Sequence, residues 1–139
     1  MPITPVINYW AVLVAAVTAI ILGSIWYGPL FGKSWMKLSG ISREAVDSSK
    51  KKGMWKYYLA NFIAALIFAY ILSHFVDYTE SSTITDAFQL GFWIWLGFIA
   101  TILLGTVLWE GKSYKLYILN AGYRLIEIFL MAIILVLWP

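Results

Sequence analysis

Four long runs of apolar residues, separated by polar segments, dominate the sequence. They cover residues 6–27, 55–76, 87–109 and 114–138, so each has at least 22 residues. A helix of about 20 residues crosses the hydrocarbon core of a membrane, where a segment has to satisfy its own backbone hydrogen bonds. The pattern predicts an all-α membrane protein, a single domain over residues 1–139 that forms a four-transmembrane-helix bundle. Because the first run lacks a basic flank and a cleavage pattern, we expect it to be retained.

The basic residues fall on one side of this predicted bundle. Residues 77–86 hold three acidic residues and no lysine or arginine. By the positive-inside rule, loops 28–54 and 110–115 are predicted to be cytoplasmic, with both termini outside. The lysines at 50–52 are expected to contact anionic lipid headgroups and not nucleic acid. The basic residues of the two predicted cytoplasmic connections and the adjoining helix starts are Lys33, Lys37, Arg43, Lys50, Lys51, Lys52, Lys56, Lys112 and Lys115.

Composition narrows the function. Apolar residues make up 62% of the chain and charged residues 12%, which is about half the charged fraction of a typical soluble domain. There is no cysteine, and His74 is the only histidine. The sequence has no nucleophile–base pair, no metal-ligand cluster and no cofactor motif, so we predict no enzyme activity, no metal and no cofactor.

The two halves of the chain resemble each other. Residues 21–28 align with 103–111 after one insertion, and residues 32–35 and 111–114 both read Gly-Lys-Ser followed by an aromatic residue. Lys56, Tyr58 and Asn61 have the spacing of Lys115, Tyr117 and Asn120. The pattern predicts two helical hairpins related by a parallel repeat, with a cleft between them.

Three short motifs carry a resemblance to a known family. Residues 26–37 read Trp-Tyr-Gly-Pro-Leu-Phe-Gly-Lys-Ser-Trp-Met-Lys, residues 110–112 Glu-Gly-Lys, and residues 120–123 Asn-Ala-Gly-Tyr. Together they make the chain similar, over nearly its whole length, to the family called domain of unknown function 1761. The resemblance implies a small bacterial membrane protein, which we expect in the cytoplasmic membrane, and brings no established activity. Arg124 and Glu127 depart from the family's pattern, so the resemblance assigns them no role.

The first motif predicts a structural corner after the first helix. Pro29 lacks a backbone donor and restricts the residue before it, so we expect the helix to stop there. Gly28 and Gly32 would permit a tight turn. A rigid corner is one interpretation; a cytoplasmic gate or a partner-docking surface is the other. In the loop that follows, Ser42 is expected to cap a short helix.

Arg124 is the most informative residue of the fourth apolar run. It follows the start of that run by about ten residues, or roughly 15 Å, and so lies near the bilayer centre. A charge at that depth has to face protein or a polar cavity, and Glu127 lies three residues on, where it can form an ion pair. Asn120 and Tyr117 extend this face toward the basic loops, and Asn61 is the repeat counterpart of Asn120.

Two functions remain open for this polar face. The first is a cleft, lined by Arg124, Glu127, Asn120, Tyr117 and Asn61, that binds or transports a small polar or anionic solute. The second is a structural or interaction module that transports nothing, in which the ion pair serves packing only. Small-residue stripes on the first helix and on the third, at Gly97, Thr101 and Gly105, let helices approach closely. A stripe left over from internal packing predicts a homodimer or a higher homo-oligomer.

Overall fold

The computed structural model describes residues 6–139 and is all-helical over that range. Four helices are long and apolar enough to span a membrane: α1 (Tyr9–Leu30), α4 (Trp55–Tyr78), α5 (Ile84–Leu108) and α6 (Tyr114–Leu137). Two short helices, α2 (Gly32–Ser39) and α3 (Arg43–Lys51), lie in the connection between α1 and α4. We call the side of the bundle that holds α2, α3 and the α5–α6 connection the basic side.

Capping side chains mark the starts of α1, α3 and α5, and Ser113 caps α6 in the same way. The Asn8 side chain accepts hydrogen bonds from the Trp10 and Ala11 amides. Helix α1 therefore begins at Tyr9, three residues after the start of the first apolar run. Thr83 and Asp86 form a reciprocal capping box, which starts α5 within the polar segment ahead of its run. The Ser42 hydroxyl accepts from the Ala45 amide and caps α3, as the sequence predicted.

The regular helix of α1 breaks at the corner that the sequence predicted. Gly28, the residue before Pro29, has non-helical backbone angles (φ −106°, ψ −106°), and the π-helical turn over Trp26–Leu30 joins two helical segments across this kink. Pro29 has no N–H and so cannot donate to the Ile25 carbonyl, as an α-helix would require. The Phe31 amide donates to the Trp26 carbonyl, five residues back, over 2.8 Å. A Cβ at residue 32 would lie 2.8 Å from the Tyr27 carbonyl oxygen, so only glycine fits this close approach.

The four long helices pack unequally. α1 packs against both α4 and α6, and α5 packs against α6, whereas α4 and α5 make little contact with each other. A twofold repeat of hairpins would make the α4–α5 contact equivalent to the α1–α6 contact, so the predicted repeat arrangement is not confirmed. The gap between α4 and α5 is where the central cavity described below lies.

The apolar core occupies the half of the bundle away from the basic side. Alanines of α1 face α4 and α6, with Ala15 and Ala16 fully buried, which allows the close approach that the small-residue stripe predicted. Most of the remaining core comes from the last turns of α4 and α6. On α5, by contrast, Gly97 and Thr101 are exposed, and the homodimer remains a prediction.

Candidate functional site

An ion pair in the middle of α6 is the centre of the candidate site. The Arg124 Nη1 atom donates to Glu127 Oε1 over 2.8 Å and to Oε2 over 3.1 Å. The guanidinium carbon also lies 5.1 Å from the centre of the Tyr123 ring. This is the pair that the three-residue spacing predicts, and within residues 6–139 it is the only ion pair closer than 4 Å.

The two partners of the pair are buried to different extents. The Glu127 side chain is 7% exposed, next to the fully buried Ile128 on α6, whereas the Arg124 side chain is 47% exposed. The carboxylate therefore faces the packed core, and the guanidinium faces open space between the helices. Because Nη1 makes the bonds to Glu127, the Nε and Nη2 donors remain to meet a ligand.

The open space on one side of Arg124 is a cavity of about 320 Å³, which we call the central cavity. Asn61, Arg124, Glu127 and Tyr123 are its polar side chains, and apolar side chains form the rest of its wall. Its volume falls within the range typical of small-molecule sites. All four long helices contribute to the lining: Ala19, Ile20, Asn61, Ala64, Ala65, Phe68, Phe98, Ile99, Ile102, Leu103, Tyr123, Arg124, Glu127 and Met131.

A second cavity lies on the other side of Arg124, nearer the basic side. This connecting cavity, of about 420 Å³, is lined by Tyr27, Trp35, Leu103, Asn120 and Arg124. The Tyr27 hydroxyl donates to Asn120 Oδ1 over 2.7 Å, which ties the end of α1 to α6. Arg124 and Leu103 line both cavities, so the guanidinium stands at the point where they adjoin.

A basic cleft continues this series to the surface. It has a volume of about 460 Å³ between the π-helical turn of α1, α2 and α3, and it shares Tyr27 and Trp35 with the connecting cavity. Lys33, Arg43 and Lys50 line it, against a single acidic residue, Asp47. Neighbouring spaces therefore share lining residues from the basic surface to the middle of α6. Lysine and arginine side chains line the outer end, and Arg124, paired with Glu127, lines the inner end.

The five side chains predicted to line the site are divided among different places. Arg124, Glu127 and Asn61 line the central cavity, whereas Asn120 lies in the connecting cavity and not in the same space as Asn61. Tyr117 lines neither of these two cavities. Its hydroxyl donates to the Ala100 carbonyl of α5 over 2.8 Å, so it fastens α5 to α6.

Two residues of the path were not among the site residues that the sequence predicted. Tyr27 and Trp35 have the aromatic character of an interfacial belt, but both line the connecting cavity, and their rings meet edge to face with centres 6.2 Å apart. The π-helical turn at Pro29 places Tyr27 against Asn120. The Gly-Pro pair was the available signal, because it marks a kink that redirects the aromatic residue before it.

A family model described as "Protein of unknown function (DUF1761)" matches residues 10–136. The chain belongs to that family. The match includes the four long helices and the residues that line both cavities around Arg124. It confirms the family that the three sequence motifs indicated. No curated protein matches this DUF1761 member, and no solved structure matches it either.

Proposed function

We propose that this membrane protein binds or carries a small polar or anionic solute along the cavities that meet at Arg124. The observation that carries the proposal is the half-exposed guanidinium at mid-helix, which borders open space on two sides. A charge at that depth is costly to keep unless it faces a polar space or serves a function. Lys33, Arg43 and Lys50 outnumber Asp47 in the basic cleft, which favours anions there. Arg124 is paired with Glu127 but keeps free N–H donors for an anionic group.

A second candidate function rests on Glu127. Its carboxylate is buried beside the core and is satisfied by Arg124, which is what an ion pair that only fixes helix packing requires. In that case the protein is a structural or interaction module that moves no solute, and the corner at Gly28, Pro29 and Gly32 offers a docking surface. The two candidates agree on folding and differ on ligand binding.

We propose that the basic side faces the cytoplasm of a bacterium, with both termini outside, because the basic residues concentrate there. Ser49 and Ser82 are exposed on opposite sides of the bundle and the chain has no cysteine of its own. A cysteine placed at Ser82 should react with a membrane-impermeant maleimide added to intact cells. One at Ser49 should react only after the membrane is opened, and the reverse pattern would refute this topology.

The test of solute binding uses anions of simple structure. We expect at least one of acetate, hexanoate and inorganic phosphate to raise the thermal unfolding temperature of the purified protein. The Arg124→Met/Glu127→Leu double variant should fold, since apolar replacement of a buried pair is often neutral or stabilising, but should show no such rise. Uptake of the binding anion into proteoliposomes should fall to background in the double variant and less in Asn120→Leu.

The two candidates predict different results in the double variant. If the anion stabilises the double variant as much as the parent, or is taken up equally, Arg124 has no part in binding. If none of the three anions affects the parent, solute binding at this site is refuted and the packing role stands. Tyr57→Phe, at an exposed residue of α4 away from the cavities, serves as the control for general effects of substitution.

A further inference from the structure

The central cavity adjoins a second, wholly apolar space. This groove, of about 400 Å³, lies between α4 and the part of α5 at Ile94, and it shares Ala64 and Phe68 with the central cavity. Ile67, Ile71 and Phe75 continue it along α4, away from the basic side. From residue 64 to residue 75 the helix rises by roughly 16 Å.

The groove lies between two helices that do not close on each other. α4 and α5 make little contact, and Ile67 and Ile71 are exposed on α4. A molecule in the central cavity therefore has an apolar route sideways, toward lipid. The route straight on, toward the far side, is filled by core residues such as Ala69 and Ile128, which are fully buried.

These two spaces define the kind of ligand that fits both. A fully hydrated ion that reached Arg124 would find only apolar surface ahead and would have to lose its water without replacement. A molecule with one anionic end and one alkyl chain meets a partner at each end. Its head can accept hydrogen bonds from the free donors of Arg124 and from the Asn61 amide, while its chain lies along Ile67 and Ile71.

We infer that the ligand of this site is an amphiphilic anion, a carboxylate or phosphate carrying a single alkyl chain, with the head at Arg124 and the chain in the groove between α4 and α5. The inference rests on the proposed binding of anions at Arg124 and specifies their class. The inference excludes fully hydrophilic anions as good ligands. An ordinary bilayer lipid would not match this ligand either, because its headgroup stays at the membrane surface and does not reach Arg124.

Photolabelling in phosphatidylcholine nanodiscs tests this inference. The probe is dodecanoate with a diazirine near the end of its chain, and labelled peptides are mapped by mass spectrometry. We expect labels within residues 67–75. Unmodified dodecanoate should compete at least about tenfold better than hexanoate, because affinity measured from water rises about fourfold per methylene group. Acetate and dodecyltrimethylammonium, which lack the chain and the anionic head respectively, should not compete.

Two matched variants test whether the probe labels the groove or the rest of the lipid-facing surface. Ala64→Phe places a ring where the cavity and the groove adjoin and should abolish the advantage of dodecanoate over hexanoate. Ala60→Phe adds the same ring one turn earlier, at an exposed residue that lines none of these spaces, and should leave labelling unchanged. The competition series on the parent protein gives an answer even if a variant fails to fold.

Two other sets of results would contradict this ligand class. Equal competition by acetate, hexanoate and dodecanoate, with no effect of Ala64→Phe, would overturn the amphiphile while leaving anion binding at Arg124 intact. Labelling that persists in the Arg124→Met/Glu127→Leu variant, or that dodecyltrimethylammonium blocks equally well, would mean that the groove takes any alkyl chain. That result would overturn the inference, whereas the response of the unfolding temperature to acetate, hexanoate and phosphate judges the proposed function separately.

Discussion

The half of the bundle around the start of α1 is packed with small side chains, whereas the half toward the basic side holds the central and connecting cavities. In the first half, Ala11, Ala15 and Ala19 bring α1 close to its neighbours. In the second half, helices meet through polar contacts such as the hydrogen bond from Tyr27 to Asn120. The difference follows from side-chain size: alanine faces let backbones approach, and bulky aromatic and charged groups hold them apart.

Arg124 and Glu127 lie at the boundary between these halves, so the largest effect on stability is expected there. Arg124→Met alone should lower the free energy of unfolding by roughly 3–5 kcal/mol, because it leaves the buried Glu127 carboxylate without its cation. Glu127→Leu alone should cost less, since the guanidinium it strands is 47% exposed to the cavities. Denaturant unfolding in micelles, followed by tryptophan fluorescence, measures both. Equal costs would contradict the asymmetry of burial.

Replacing one alanine in each half by leucine tests the packing of the two halves directly. Ala15→Leu, at a fully buried residue of the closed half, should destabilise by about 1–3 kcal/mol through overpacking. Ala64→Leu, which projects into the space between α4 and α5, should change stability by less than about 0.5 kcal/mol. The same unfolding assay applies to both variants. A similar loss at the two positions would mean that the cavity is as tightly packed as the core.

At the end of the connecting cavity we expect a smaller loss of stability than at Ala15. Tyr27→Phe removes the 2.7 Å hydrogen bond to Asn120 and should cost about 0.6 kcal/mol, the average for such bonds in membranes. The loss should also open the approach to Arg124, so its modification by phenylglyoxal should become faster. Tyr57→Phe, on the exposed face of α4, is the control and should change neither quantity. An unchanged modification rate would show that this bond does not restrict access.

The sequence was sufficient for the features that depend on composition and short spacing. Hydropathy located the four long helices, and the three-residue spacing of Arg124 and Glu127 located their ion pair, because neighbours on one helical face meet whatever the tertiary fold. The cavities could not be predicted in the same way. They depend on which helix faces which, and the apparent repeat suggested a symmetry that α4 and α5 do not follow.

Individual side chains were misjudged where tertiary contacts decide their role. Tyr117 shares the helical face of Arg124, but a carbonyl of α5 lies within reach of its hydroxyl, so it joins two helices instead of lining the path. The π-helical turn at Trp95–Ala100 supplies that carbonyl. No proline marks this turn, in contrast to the one at Pro29, and the hydrogen bond from the Trp95 indole to the Ala121 carbonyl holds it against α6.

The turn at Trp95–Ala100 also gives α5 one place where its length can change. A π-helical turn contains one residue more than the α-helical turn it replaces. Deleting one residue there would therefore let the helix close as a regular α-helix, and the residues after the turn would keep their direction. A deletion in a regular α-helical part of α5 would instead rotate everything after it by about 100°. Removal of the exposed Leu96 should therefore leave Ile102 and Leu103 facing the central cavity that they line.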